Sequence, residues 1–220
     1  MLDAVREASA ATGLGLAVVI AANRTRHPLD ARTLARLAGQ YAGRGVVGFG
    51  LSNDERRGST ADFASAFRIA ERAGLLLAPH GGELRGPEHI RLCLDSLGAD
   101  RLGHGVRAAE DPALLDRIVE AGVALEVCPV SNVALGVYSD LTSVPLPTLL
   151  AAGATVALGA DDPLLFGSQL AGQYATMRAA HELDDAQLAE LARMSVRASR
   201  APDDIRAATL ADIDGWLSQA

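Results

Sequence analysis

Four groups of polar residues each follow an apolar run and each precede a helix-like stretch. They are His80-Gly81-Gly82-Glu83, Gly103-His104-Gly105, Cys128-Pro129-Val130-Ser131-Asn132 and Ala160-Asp161-Asp162-Pro163. Imidazoles and carboxylates gathered from several strand ends are the side chains that metal-assisted hydrolysis uses.

His80 ends an apolar run and enters a glycine pair that lets the backbone bend tightly. A histidine in that place has a purely structural reading. Glu83, three residues on, adds a second one: a metal-ligating imidazole beside a general acid. His104 lies between two glycines, which leave room for a ligand to approach; the alternative is a tight turn. Asp161 and Asp162 are adjacent carboxylates at the end of a buried-type strand, where they repel each other and lose hydration. A metal on one and a hydrogen-bond donor on the other would relieve this. A helix N-cap at Asp162 with Pro163 at the first helical position accounts for Asp162 but not Asp161. Ser131 and Asn132 read either as residues that order the loop around a site or as plain turn residues. Asn53-Asp54-Glu55 ends another strand and could face the same mouth. His27, His89 and His181 stand in polar or helical surroundings and read as surface residues.

The elements that must carry these groups alternate. A helix over 2–12 precedes a strand over 14–22, apolar enough to be buried on both faces. The pattern then predicts a helix at 29–41, a strand at 45–51, a helix at 60–73 and a strand at 75–79. A helix at 87–97 and a strand at 101–103 follow, then a helix at 112–121, a strand at 124–128, a helix at 147–152 and a strand at 155–159. From Leu164 to Trp216 the pattern is helical, broken near Leu183-Asp184 and Ala201-Pro202. Six strand–helix units of this kind predict a parallel α/β fold. Polar groups at nearly every strand end favour a barrel over an open sheet.

Composition removes several classes. The 220 residues fit one domain, 1–220, and carry a net charge of −7 with no basic stripe, which argues against nucleic acid. There is no lysine, so Schiff-base chemistry, pyridoxal phosphate enzymes and a lysine-bearing phosphate loop are excluded. No apolar run is long enough for a membrane span and no signal peptide is evident, so a cytoplasmic protein is expected. Cys93 and Cys128 form no spacing motif and are expected to be buried thiols.

Together, the motifs His80-Gly81-Gly82-Glu83, Leu102-Gly103-His104-Gly105, Cys128 to Asn132 and Asp161-Asp162-Pro163 resemble the adenosine deaminase family of metal-dependent amidohydrolases. The segment Ser195 to Ser199 is similar too, so the resemblance covers essentially the whole chain. It implies a (β/α)8 TIM-barrel fold with one zinc ion and C-terminal helices. The implied reaction is hydrolysis of adenosine or a related 6-aminopurine to the 6-oxo product and ammonia. By matched position, His80 and Asp161 would be zinc ligands and Glu83 would protonate a ring nitrogen. His104 and Asp161 would orient the attacking hydroxide. Asp162 would hold another ring nitrogen. Asn53 stands where the family usually has a base-contacting glycine, and Gly50 where it often has an aspartate.

One departure is large. The family's His-x-His pair, which supplies two further zinc ligands, does not occur. The run at 14–22 best matches the third barrel strand, so an incomplete barrel of about six βα units is expected, N-terminally truncated and lacking the first two. Such a chain is expected to lack deaminase activity alone and to self-associate through open sheet edges. Two other readings remain open: another amidohydrolase, and a non-catalytic or partner-completed purine-binding protein.

Overall fold

The computed structural model describes residues 1–219. Its elements are helix α1 (Leu2–Thr12), strand β1 (Val18–Asn23), α2 (Pro28–Gln40), β2 (Val46–Ser52), α3 (Ala64–Arg72), β3 (Leu76–Gly81), α4 (Pro87–Leu97) and β4 (Arg101–His104). These are followed by α5 (Pro112–Glu120), β5 (Ala124–Val127), α6 (Pro129–Ala134), α7 (Leu146–Ala151), β6 (Val156–Leu158), α8 (Pro163–Phe166), α9 (Leu170–His181), α10 (Asp185–Arg197) and α11 (Asp203–Leu217). All six expected strands form, and helices separate each from the next. Two compact units divide the chain, Met1–Leu102 and Gly103–Ala220.

In the first unit β1, β2 and β3 pair in parallel, with Ile20 opposite Phe49 and Gly50 opposite Ala78. Parallel pairing requires a crossover between strands, which α2 and α3 provide. The core is a single cluster in which Phe49 and Phe67 meet edge to face, their ring centres 5.3 Å apart. Ala31, Ala35 and Ala38 let α2 approach closely, while Phe67 and Ala70 face inward from α3.

The strand at 14–22 corrects an expectation. Only residues 18–23 form β1, and its burial alternates instead of being complete. Leu14 and Leu16 precede it and are exposed, as is Val19 on it. Within this unit β1 has a neighbour on one side only, so a face expected to be covered is not. The helix expected at 60–73 also divides, into a 3-10 turn over Thr60–Phe63 and α3.

In the second unit β5 and β6 pair in parallel, Leu125 opposite Val156. Leu125, Val127 and Val156 on these strands are fully buried, as are Ile118 on α5, Leu146 and Leu149 on α7 and Leu191 on α10. Asp111 caps α5 by accepting from Leu114 N, with Pro112 at the first helical position. Asp184 and Gln187 form a reciprocal cap on α10. The two expected breaks fall between α9 and α10 and between α10 and α11. A short helix, α6, occupies the segment expected to be a loop after Cys128. No helix among the described residues is long and apolar enough to cross a membrane.

Candidate active site

Three of the expected site residues hold a backbone conformation that costs energy outside glycine. Asn53, His104 and Asp161 have φ of 81°, 68° and 56°, and Glu182 is the one further non-glycine residue at positive φ among those described. Asn53 and Asp161 lie just past β2 and β6, and His104 is the last residue of β4. Left-handed geometry costs a non-glycine residue roughly 1–2 kcal/mol. Such strain concentrates where a side chain must be aimed at a ligand.

In the first unit, His80 is the penultimate residue of β3 and is partly exposed, while the Glu83 side chain is buried. Two glycines join them for different reasons. Gly82 has φ 83°, and a Cβ added at Gly81 would stand 2.8 Å from Cys93 Sγ and 3.2 Å from Leu102 Cδ2. The buried thiol of Cys93 therefore occupies the room a side chain at Gly81 would need. Burial pushes this thiol up to about 12, so it is an inert space-filler.

The Glu83 loop is held from below by a carboxylate. Glu55 is fully buried and accepts from Glu83 N at 3.2 and 3.1 Å, Leu84 N at 2.9 Å and Arg85 N at 2.9 Å. His89 Nδ1 lies 3.3 Å from Glu55 Oε2. On the other side of the imidazole, Nε2 is 2.9 Å from Thr60 Oγ1 and 3.2 Å from Arg24 Nη1. Arg24 also donates to Thr60 Oγ1 at 3.2 Å and to the His80 carbonyl at 2.8 Å. Burial alone would push the Glu55 carboxyl up. The His89 imidazole and the backbone N–H groups outweigh that and hold it below its ordinary value. Burial lowers the Arg24 guanidinium, opposed by the charge of Glu55.

His89 corrects a second expectation. It is 1% exposed, not a surface residue. It shares a helix face with Cys93 and Leu97, four and eight residues on, both buried. His27 is exposed, as expected, and caps α2 by accepting from Leu29 N through Nδ1 at 3.2 Å. His181 is half-buried.

In the second unit His104 is buried, and the Asn132 amide nitrogen lies 3.3 Å from its Nδ1. An amide N–H donating there leaves the imidazole proton on Nε2. Asn132 is in turn fixed by α6. Its N–H donates to Cys128 O at 3.0 Å and its carbonyl accepts from Val137 N at 2.8 Å. Ser131 Oγ donates to Cys128 O at 3.0 Å. Gln173, fully buried on α9, accepts from Val130 N at 3.3 Å. Asn132 therefore reaches His104 through its side chain, whereas Ser131 Oγ bonds within its own turn.

The imidazole of His104, the thiol of Cys128 and the carboxylate of Asp161 each offer a donor atom, all within 4.8 Å of one another. Nitrogen, sulfur and carboxylate oxygen are the donor types that zinc takes, so this donor set fits the ion. Gly159 is needed for the same reason as Gly81: its added Cβ would lie 2.9 Å from Cys128 Sγ. Asp162 caps α8, its Oδ1 accepting from Leu164 N and Leu165 N at 3.1 Å.

A family model described as adenosine deaminase matches residues 1–216. The chain belongs to the adenosine deaminase family. A Streptomyces virginiae protein, named as a candidate adenosine/adenine deaminase, is 65% identical over 99% of this chain and 64% of its own length. The crystal structure of an adenine deaminase from Arthrobacter aurescens superposes with a TM-score of 0.91. It is 30% identical over 98% of this chain and 66% of its own. An amidohydrolase from B. ambifaria, solved with bound Zn, shares the fold alone: 22% identity and a TM-score of 0.89, over 98% of this chain and 60% of that one. This deaminase-family chain therefore has the parallel α/β fold of a partial TIM barrel, and it spans about 64% of the length of that Streptomyces relative.

Proposed function

We propose that this chain carries the general acid and part of the metal site of a zinc-dependent deaminase that converts adenine or adenosine to the 6-oxo purine and ammonia. The observation that carries the reading is the set of four ordered strand-end motifs within a family match over residues 1–216. The likeness to proteins named adenine deaminase supports a 6-aminopurine as substrate. We propose further that residues 1–220 act as one domain.

His80 and Asp161 would hold the zinc. When bound, zinc lowers the pKa of a water from about 16 to about 7. Glu83 is buried and would give a proton to a ring nitrogen. That proton prevents negative charge from building on the ring as water adds to the amino-bearing carbon. His104 and Asp161 would orient the water and take its proton, which the departing amine carries away as ammonia, while the proton left on the new hydroxyl returns to Glu83 as the 6-oxo group forms. Asp162 spends Oδ1 on α8, so Oδ2 is the oxygen offered to a second ring nitrogen. Asn53 approaches the base from the end of β2.

A substrate panel tests this reading. Ammonia release from adenine or adenosine with zinc supplied supports it, and turnover of cyclic amides in preference to aminopurines contradicts it. One observation favours a second reading, in which the chain needs a partner to turn over. Only two of the expected zinc ligands occur in these residues, and a catalytic zinc generally takes three protein ligands. Purine binding without ammonia release would identify that case.

A further inference from the structure

The buried cluster of Arg24, Glu55, Thr60 and His89 contacts the main chain on both sides of the Gly81-Gly82 bend. Arg24 holds the His80 carbonyl, and Glu55 takes three successive N–H groups from residues 83–85. Consecutive N–H groups converging on one acceptor make a concavity that selects an anion, and here the anion is a side chain of the same chain.

The protonation pattern follows from donor chemistry. Arginine cannot accept a hydrogen bond, so His89 Nε2, 3.2 Å from Arg24 Nη1, must be the acceptor. The imidazole proton then sits on Nδ1, 3.3 Å from Glu55 Oε2, a charge contact that falls short of hydrogen-bond geometry. His89 thereby stands between the buried Arg24 and the buried Glu55. All four side chains are 2% exposed or less.

We propose that Glu55 is a positioning residue for the Glu83 loop, held in register by the His89–Arg24 relay. Its task is to fix the backbone of residues 80–85 so that His80 and Glu83 are presented in one geometry. The proposal rests on the deaminase reading for its purpose, but the clamp itself has a readout that needs no turnover.

That readout is amide exchange. In Glu55→Gln, the amides of residues 83–85 should exchange about ten-fold or more faster, while those of Leu77 and Ala78 in β3 keep their protection. His89→Gln retains one donor and one acceptor and should preserve protection at 83–85. His89→Leu keeps neither and should lose it. Unchanged exchange at 83–85 in Glu55→Gln, or equal loss at β3, overturns the proposal, because the cluster would then be absent as a clamp or merely part of the core. If the unaltered protein also releases ammonia from adenine, Glu55→Gln should lower kcat about ten-fold or more with KM unchanged. A protein that shows the exchange pattern yet turns over cyclic amides in preference to aminopurines contradicts the deaminase reading and leaves the clamp standing.

Discussion

Glu55 accepts the main-chain N–H of Glu83 through both carboxylate oxygens, at 3.2 and 3.1 Å. One buried carboxylate thus fixes the backbone of another. The difference between them is chemical. Glu55 is surrounded by N–H groups and an imidazole that favour its charge, and its carboxyl is held below its ordinary value of 4.5. In the proposed deaminase, Glu83 has the role that needs a proton.

The sign of the Glu55 shift sets a pH dependence. A carboxyl depressed in the folded state contributes stability that is fully present above its unfolded value and is lost as pH falls through the folded one. The chain should therefore hold its denaturant midpoint down to about pH 4.5 and lose stability below it. Glu55→Gln should flatten that part of the curve and lower the plateau by about 3–5 kcal/mol, since it leaves the relay incomplete. A plateau unaltered by the substitution would show that the charge is not used.

Gly81 and Cys93 should behave as a coupled pair. Gly81→Ala drives a methyl group against Cys93 Sγ and should cost about 1–3 kcal/mol. Cys93→Ala opens that space, so the double substitution should recover most of the loss. Denaturant unfolding of the four proteins in the cycle measures the coupling, and strict additivity would contradict it.

Cys93 should also resist thiol reagents. Burial pushes it up to about 12, leaving almost no thiolate at pH 8. Mass spectrometry after alkylation of the native protein should find Cys93 unmodified, and denaturant should be required for labelling. Rapid native labelling would mean that the first unit opens far more often than its packing implies.

How legible each residue was in the sequence follows from its setting. His80, His104 and Asp161 stood out in the sequence because each interrupts or ends an apolar run, and the structure puts each at or just past a strand end. The strand order of the first unit was readable for the same reason: alternating apolar segments leave few other arrangements. Arg24, Glu55, Thr60 and His89 were not readable as a group, because they lie on four segments and only the tertiary fold brings them together. Glu55 stands in the polar run Ser52 to Arg57, which reads as solvated. His89 did carry a signal. It lies four and eight residues before Cys93 and Leu97, on the buried face of α4. The strand at 14–22 was drawn too long because apolarity alone cannot tell a buried strand from an apolar approach to one.

Asn132 offers a narrower test in the second unit. Its amide nitrogen at His104 Nδ1 should keep the imidazole proton on Nε2. Asn132→Leu should make the two tautomers comparably populated, visible in the nitrogen shifts of His104, and should reduce deamination by about ten-fold. An unchanged tautomer ratio would remove Asn132 from the site.

The central claim is that Glu83 is the acid of a zinc-dependent aminopurine deaminase. The most direct measurement is ammonia release from adenine by the zinc-loaded polypeptide as the cell makes it, compared with its Glu83→Gln variant. The account predicts turnover by the former and a loss of at least about 100-fold in kcat in the variant, with zinc still bound. Equal rates in the two proteins would contradict it.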